Sequence, residues 1–332
     1  APEETVKAAL LGIERKKALQ AQIEAWAGAI VQGQCPVPVR EQLYKILFKP
    51  DKNAPEYKAV VEAAKRSQQA PLELLKAAGA IDSPYQFHWK RFLFDNFPKG
   101  TGFPALAAPP IKDELPLSPA KAFSIDDSHT TEIDDALSVQ GLGTGTVVFG
   151  VHIAAPGLAI AAESALDKLA RDRLSTVYMP GWKLTMLPDE VVQAYTLTAG
   201  RACPAVSLYV TLDEATLEVK CSETRLERVD IVSNLRHDQL DAVITEASLT
   251  GEAPAGYEHA AELAFAFRLA RHLKARREVV RGKPETFNRP DYTFRLEGNT
   301  GEPLGTERVL ISTRQRGAPL DLIVAEAMIL AN

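Results

Sequence analysis

Residues 125–136 read IDDSHTTEIDDA and place five acids, Asp126, Asp127, Glu132, Asp134 and Asp135, within ten positions. The apolar residues around the acids decide how the stretch is read. KAFSID (121–126) alternates apolar and polar residues, the period of a half-buried strand. Ile133, Ala136, Leu137 and Val139 carry a similar pattern on the far side. The acids therefore belong to a loop between two strands. Asp126 closes the first strand; Asp134 and Asp135 open the second, where neighbouring side chains point to opposite faces. Downstream, Gly141, Gly143 and Gly145 lead into TVVFGVHIA (146–154), a hairpin signal. Further strands are predicted over 204–213, 217–229 and 291–297, and helices over 160–174, 236–248, 256–280 and 318–331. Strands first with helices interspersed later indicate an α+β domain.

Carboxylates massed this tightly raise one another's pKa. A hard divalent cation offsets that cost, and Mg²⁺ is typically held by a few carboxylates, waters and substrate phosphate oxygens. Two such ions about 3.5–4 Å apart stabilise both the attacking and the leaving oxygen of an in-line phosphodiester cleavage. Metal binding is thus the chemistry this segment suggests. A solvated acidic loop is the common alternative, but the interleaved apolar residues tie the acids to buried strands. A calcium loop of the EF-hand type needs glycine at its sixth position, where a count from Asp126 finds Thr131, and it needs helical flanks. A purely structural magnesium site stays open on residue chemistry alone.

The chain has 332 residues and 46% hydrophobic content, enough to bury two or three cores. Cys35, Cys203 and Cys221 form no C-x-x-C pair, so neither a disulfide framework nor a zinc site is expected. The first residues, APEETVKAAL, lack the basic-then-apolar order of a signal peptide, and no apolar run is long enough to span a membrane. A cytoplasmic protein is expected. The formal net charge of −5 conceals an asymmetry. Residues 1–100 hold 15 Lys/Arg against 11 Asp/Glu, and the remainder 23 against 32, so a mildly basic front precedes an acidic body. That distribution suits a nucleic-acid-binding module joined to a metal-binding one.

Residues 1–96 read as helical. A long Ala/Glu/Lys/Leu-rich helix over 3–31 stops at Gly33 and the Pro36/Pro38 pair; shorter helices follow at 39–48, 54–68 and from Pro71 to Gly79, then an aromatic, basic one at 84–95. Short helices separated by turns suggest a helix-turn-helix or winged-helix-like, nucleic-acid-binding domain, with a helical spacer as the alternative. Residues 97–120 carry Pro98, Pro104, Pro109, Pro110, Pro116 and Pro119 and read as a stiff linker. The catalytic domain is expected over 121–332.

From here the sequence resembles the ribonuclease II family of RNB-type exoribonucleases. The family's first motif is an aspartate, a gap, then Asp-x-Asp-Asp-Ala; this chain has Asp126, then Glu132-Ile133-Asp134-Asp135-Ala136, with glutamate in place of the family's second aspartate. HIAAPG (152–157), RLSTVYMPG (173–181), MLP (186–188), YTLTAGRACPAVS (195–207), PDYTF (290–294) and IVAEAMILAN (323–332) are similar to later family blocks, in order. Ala155 stands where an aspartate is common in the family, and the helical front differs from the family's usual β-rich domains.

The resemblance implies a mixed-sheet RNB-type domain and a processive 3′-to-5′ exoribonuclease that hydrolyses single-stranded RNA to nucleoside 5′-monophosphates in RNA turnover. It implies catalytic and metal-binding roles for Asp126, Glu132, Asp134 and Asp135, with one or two Mg²⁺ ions and Mn²⁺ as a substitute. It also implies substrate contacts: Tyr178 and Phe287 as stacking candidates, Glu326 near the RNA 3′ end, and Arg173 and Arg201 at phosphates or paired with acids. A monomer needing no protein partner is expected. The chain stops where the family's catalytic domain continues toward an S1 domain, so a piece of a longer protein is expected. The competing reading is an RNA-binding regulator with an inactive nuclease domain; a cruder one is a structural metal-binding protein.

Overall fold

The structure is a computed structural model and describes residues 2–111, 114–286, 290–298, 301–315 and 317–332. It divides into two compact units, residues 1–102 with 302–307, and residues 103–301 with 308–332.

The first unit is helical: α1 (Glu3–Val31), α2 (Val37–Glu41), α3 (Leu43–Phe48), α4 (Pro55–Ser67), α5 (Pro71–Ala77) and α6 (Pro84–Asn96). Proline at the first helical position starts α4, α5 and α6, where its missing N–H costs nothing. Only the C-terminal half of α1 is buried, through Ile23, Ala27 and Ile30; it packs on α4, whose Ala59 and Ala63 permit close approach. Ser83 caps α6 by accepting the Gln86 N–H at 3.1 Å, and Trp89 Nε1 donates to Glu302 Oε1 at 2.6 Å. No strand occurs among the described residues 2–102, so the first unit shows helices without a wing.

The second unit is built on a closed barrel with strand order β1–β2–β3–β6–β7. The strands are β1 (Leu117–Asp126), β2 (Asp135–Gln140), β3 (Thr146–Ala154), β6 (Arg201–Asp213) and β7 (Val219–Arg236). All neighbours are antiparallel except β1 and β7, whose parallel pairing closes the barrel and makes the sheet mixed. Two small hairpins stand apart from it: β4 (Val177–Met179) with β5 (Trp182–Leu184), and β8 (Pro290–Leu296) with β9 (Val309–Gln315). The remaining helices are α7 (Ala165–Arg173), α8 (Asp189–Tyr195), α9 (His237–Leu240), α10 (Glu246–Thr250), α11 (Ala260–Arg281) and α12 (Pro319–Ala331).

Phe123, Leu137, Val151 and Leu212 from the barrel pack with Leu263, Leu269, Leu320 and Ile323 of α11 and α12 into one core. A buried polar seam lies on the other face of the same strands. His152, fully buried, bonds Ser138 Oγ at 2.8 Å through Nε2 and Ser207 Oγ at 2.8 Å through Nδ1. Gly150 makes room for it, because a Cβ there would collide with Ser138 Oγ and the imidazole. Burial lowers the His152 pKa to about 4, so the ring is neutral at physiological pH.

Several boundaries differ from the sequence reading. β1 already begins at Leu117, inside the stretch expected to be linker. Its register with β7 shifts between Leu117 and Lys121, and this irregularity admits Pro119, which has no N–H for a ladder. The helix predicted over 160–174 starts only at Ala165, after the Ser164 cap. In place of a helix over 236–248, β7 runs on to Arg236 to pair with β1, leaving only the short α9 and α10.

Candidate active site

The acids occupy the loop between β1 and β2, and neighbouring segments fix that loop from two sides. On one side, Ile133 is buried and bonded at both ends of its peptide: its N–H donates to Thr196 Oγ1 at 2.8 Å and its C=O accepts from Leu197 N at 2.9 Å. The Asp134 C=O accepts from Ala154 N at 2.8 Å. On the other side, Arg236 Nη1 donates to the carbonyls of Asp127 at 2.8 Å and Thr130 at 3.3 Å, and Asp238 Oδ1 accepts from the Ser128 N–H and hydroxyl.

Asp126 is oriented from behind. Ser124 Oγ donates to Asp126 Oδ2 at 2.6 Å, and Asn234 Nδ2 donates to Ser124 Oγ at 2.9 Å. Burial raises the Asp126 carboxyl above its usual range, opposed by Ser124, Arg236 and His237. Asp134 is raised by desolvation and then by Glu132 and Asp126, with Lys183 opposing. Asp135 is pushed up to about 6 by burial, Asp126 and Asp134. The structure thus brings Asp126, Glu132, Asp134 and Asp135 within electrostatic reach of one another.

Their partners separate the four. The Asp134 and Asp135 side chains accept no hydrogen bond from any described residue, and the mutual repulsion of these acids is what a divalent cation would offset. By donor type Asp126, Asp134 and Asp135 suit such an ion, although their carboxylate oxygens do not all lie within 4.8 Å of one another. Glu132 is already satisfied: Oε1 accepts from Lys183 Nζ and Oε2 from Thr176 Oγ1, both at 3.0 Å. A different group, Asp127, His237 and Asp238, has three ligand-capable atoms within 4.8 Å of one another, the one such group among the described residues.

Tyr178 lies on β4 beside the acids. The residue is 69% exposed, and partial burial, with Glu132 and Asp134 nearby, raises the phenol pKa. A cavity of about 470 Å³ adjoins it, lined by Glu132, Asp134, Tyr178, Met186, Leu187 and Val192 among others. The other substrate candidates lie elsewhere. The Arg173 guanidinium stacks 3.7 Å from the Phe103 ring centroid and donates to the Thr185 carbonyl at 2.9 Å. Arg201 caps the end of α8 by donating to the carbonyls of Gln193 at 2.7 Å and Thr196 at 2.6 Å. Glu326 is buried in α12 with its carboxylate paired to Arg277, which also bonds Glu285 at 2.7 Å. Phe287 lies outside the described residues.

Lys183, Thr176, Arg236 and Asn234 are site residues that sequence reading misses. A signal exists for Lys183: Pro180-Gly181 between short β-formers is a turn pair, Gly181 adopts φ +72°, and the turn sets Lys183 opposite Tyr178. Nothing local marks Arg236 or Asn234, whose roles arise from the β1–β7 pairing.

The RNB domain model matches residues 115–332. Exoribonuclease 2 of Escherichia coli is 33% identical over 212 residues, 63% of this chain and 31% of that protein. The chain therefore spans about a third of this relative's length. Among solved structures, a Dss1 exoribonuclease active-site mutant from Candida glabrata superposes with TM-score 0.66 at 17% identity, covering 96% of this chain and 47% of that one. Mycoplasma genitalium RNase R in complex with ribose-methylated single-stranded RNA superposes with TM-score 0.55 at 16% identity, covering 74% and 38%. Those two likenesses are of fold. The match of the family model, which takes in the whole barrel and its acid loop, places the chain in the RNB domain family.

Proposed function

We propose that this chain carries the acidic centre of a processive 3′-to-5′ exoribonuclease acting on single-stranded RNA. The observation that carries the reading is the trio Asp126, Asp134 and Asp135, all raised by burial, the latter two raised further by Asp126, on a loop hydrogen-bonded from two sides. These three would hold Mg²⁺, with Mn²⁺ as substitute. The cation, when bound, supplies positive charge at the phosphodiester and lowers the cost of deprotonating water. The protein's own part is positioning. Ser124 and Asn234 aim Asp126, and Arg236 fixes the loop. In this reading Tyr178, a largely exposed residue, would stack on the terminal base, and the adjoining cavity offers apolar Met186, Leu187 and Val192, contacts indifferent to base identity. Arg173 and Arg201 serve this reading by bracing the cavity walls.

The test is digestion of 5′-labelled single-stranded RNA by the full-length protein with Mg²⁺. Stepwise shortening to a small limit product, abolished by EDTA and by Asp134→Asn, is expected; internal cleavage overturns the reading. Neutralisation of Glu132 by Lys183 favours a second reading, an RNA-binding regulator that does not cut. It predicts RNA retention without shortening under any divalent ion.

A further inference from the structure

We propose that Glu132 and Lys183 form a latch that positions the Tyr178 hairpin over the acid loop, and that Glu132 stands outside the metal's ligand set. The inference rests on the nuclease reading only for its substrate readout.

Both carboxylate oxygens of Glu132 are engaged, and its side chain is only 10% exposed. Both donors come from one segment. Thr176 leads into β4, and Lys183 lies on β5. Thr176 Oγ1 also accepts the Met186 N–H at 3.2 Å, closing the base of the same hairpin. Lys183 Nζ reaches a second loop atom, Thr131 Oγ1, at 2.7 Å. Three bonds therefore tie the acid loop to a hairpin of only three residues per strand, a length that is marginal on its own. Tyr178 pairs directly with Lys183 across that hairpin, so anchoring the lysine anchors the ring. Asp134 and Asp135, in contrast, have no described donor and stay available to a cation. A part-buried carboxylate that loses its one cation among the described residues is left uncompensated, so removal of either partner loosens the hairpin. Lys183 and Glu132 are positioning residues on this account.

Three measurements on the protein test it. In calorimetric titration with Mn²⁺, Glu132→Gln and Lys183→Met should bind within about twofold of wild type, whereas Asp134→Asn should bind at least about tenfold more weakly. Amide hydrogen exchange across residues 176–186 should quicken about tenfold in both latch variants. With single-stranded RNA, Lys183→Met should raise KM about tenfold while kcat changes much less, and the double variant should be no worse than either single one. Loss of Mn²⁺ affinity in Glu132→Gln comparable to Asp134→Asn would make Glu132 a ligand and overturn the inference. Unchanged exchange in Lys183→Met would overturn the latch. Failure of wild type to bind Mn²⁺ would instead sink the metal reading, and exchange would still decide the latch.

Discussion

Asp126 stands opposite Arg236 in the parallel pairing of β1 with β7. The arginine does two things from that position. Its charge opposes the burial that raises Asp126, and its Nη1 holds the carbonyls of Asp127 and Thr130. Arg236→Met should therefore leave two carbonyls without their donor and favour the protonated form of Asp126. We expect divalent-ion affinity to fall about tenfold at pH 7 with far-UV circular dichroism unchanged, and Arg236→Lys to recover part of it. Wild-type affinity in Arg236→Met would mean that the loop holds its shape without this clamp.

Asp135 is destabilising where no cation is bound. It is desolvated, it feels the charges of Asp126 and Asp134, and no described donor compensates it. Asp135→Asn keeps the shape and removes the charge. In EDTA at pH 7.5 this variant should be more stable than wild type by about 1 kcal/mol, a rise in Tm of about 2–4 °C for a domain of this size. Mg²⁺ should raise the Tm of wild type and leave that of the variant nearly unchanged, because binding stabilises only the state that binds. Calorimetric or dye-based melting with and without Mg²⁺ checks both halves. A variant that melts lower than wild type in EDTA would show that the carboxylate has a partner worth more than the repulsion.

The acid loop is legible in the sequence because alternation around Ile125 and Ile133 fixes both flanking strands, and the loop needs no distant partner to be recognised. The partners that turn those acids into a site are not legible. Asn234 reaches Ser124, and Arg236 reaches Asp127, only because β7 closes the barrel against β1, which brings together residues 110 and 109 positions apart in the chain. The same pairing carries β7 past the strand predicted over 217–229 to Arg236, where the predicted helix begins, tertiary hydrogen bonding extending the strand. The short helix start at Ala165 is different in kind. Ser164 accepts the Asp167 N–H, an N-cap signal present in the sequence. β9, Val309–Gln315, likewise has the β-branched alternation of a strand in VLISTRQ. Glu326 shows the opposite failure: a motif match suggests a substrate contact, and only the structure reveals that Arg277 already holds its carboxylate inside the fold.

His152 makes the fold acid-sensitive in a predictable direction. Its folded pKa of about 4 lies below the ordinary 6.5, so the unfolded chain binds the proton more readily. The stabilisation from burying a neutral ring is complete above pH 6.5 and is lost as pH falls from 6.5 through about 4. At most this amounts to about 3 kcal/mol. The raised carboxyls Asp126, Asp134 and Asp135 act with the opposite sign, so the contribution is isolated by difference. His152→Gln, which retains a donor and an acceptor for Ser138 and Ser207, should be less stable than wild type at pH 7.5, with the gap narrowing toward pH 4.5. Urea unfolding at the two pH values reads this. A gap that stays constant would mean that the imidazole reaches solvent and titrates freely in the folded state.

Tyr178 separates stacking from hydrogen bonding. The residue is largely exposed and its phenol feels Glu132 and Asp134, so the ring face and the hydroxyl can be tested apart. If the ring carries a terminal base, Tyr178→Ala should weaken binding of a short single-stranded RNA by about 1–3 kcal/mol, and by the same factor for oligo(A) and oligo(U). Tyr178→Phe should bind within about twofold of wild type, because the stacking face is unchanged. The measurement is fluorescence anisotropy of labelled oligonucleotides in the presence of EDTA, which prevents cleavage during titration. Equal weakening in the Phe and Ala variants would assign the effect to the hydroxyl and its carboxylate neighbours, and a neutral Ala variant would remove this ring from the substrate path.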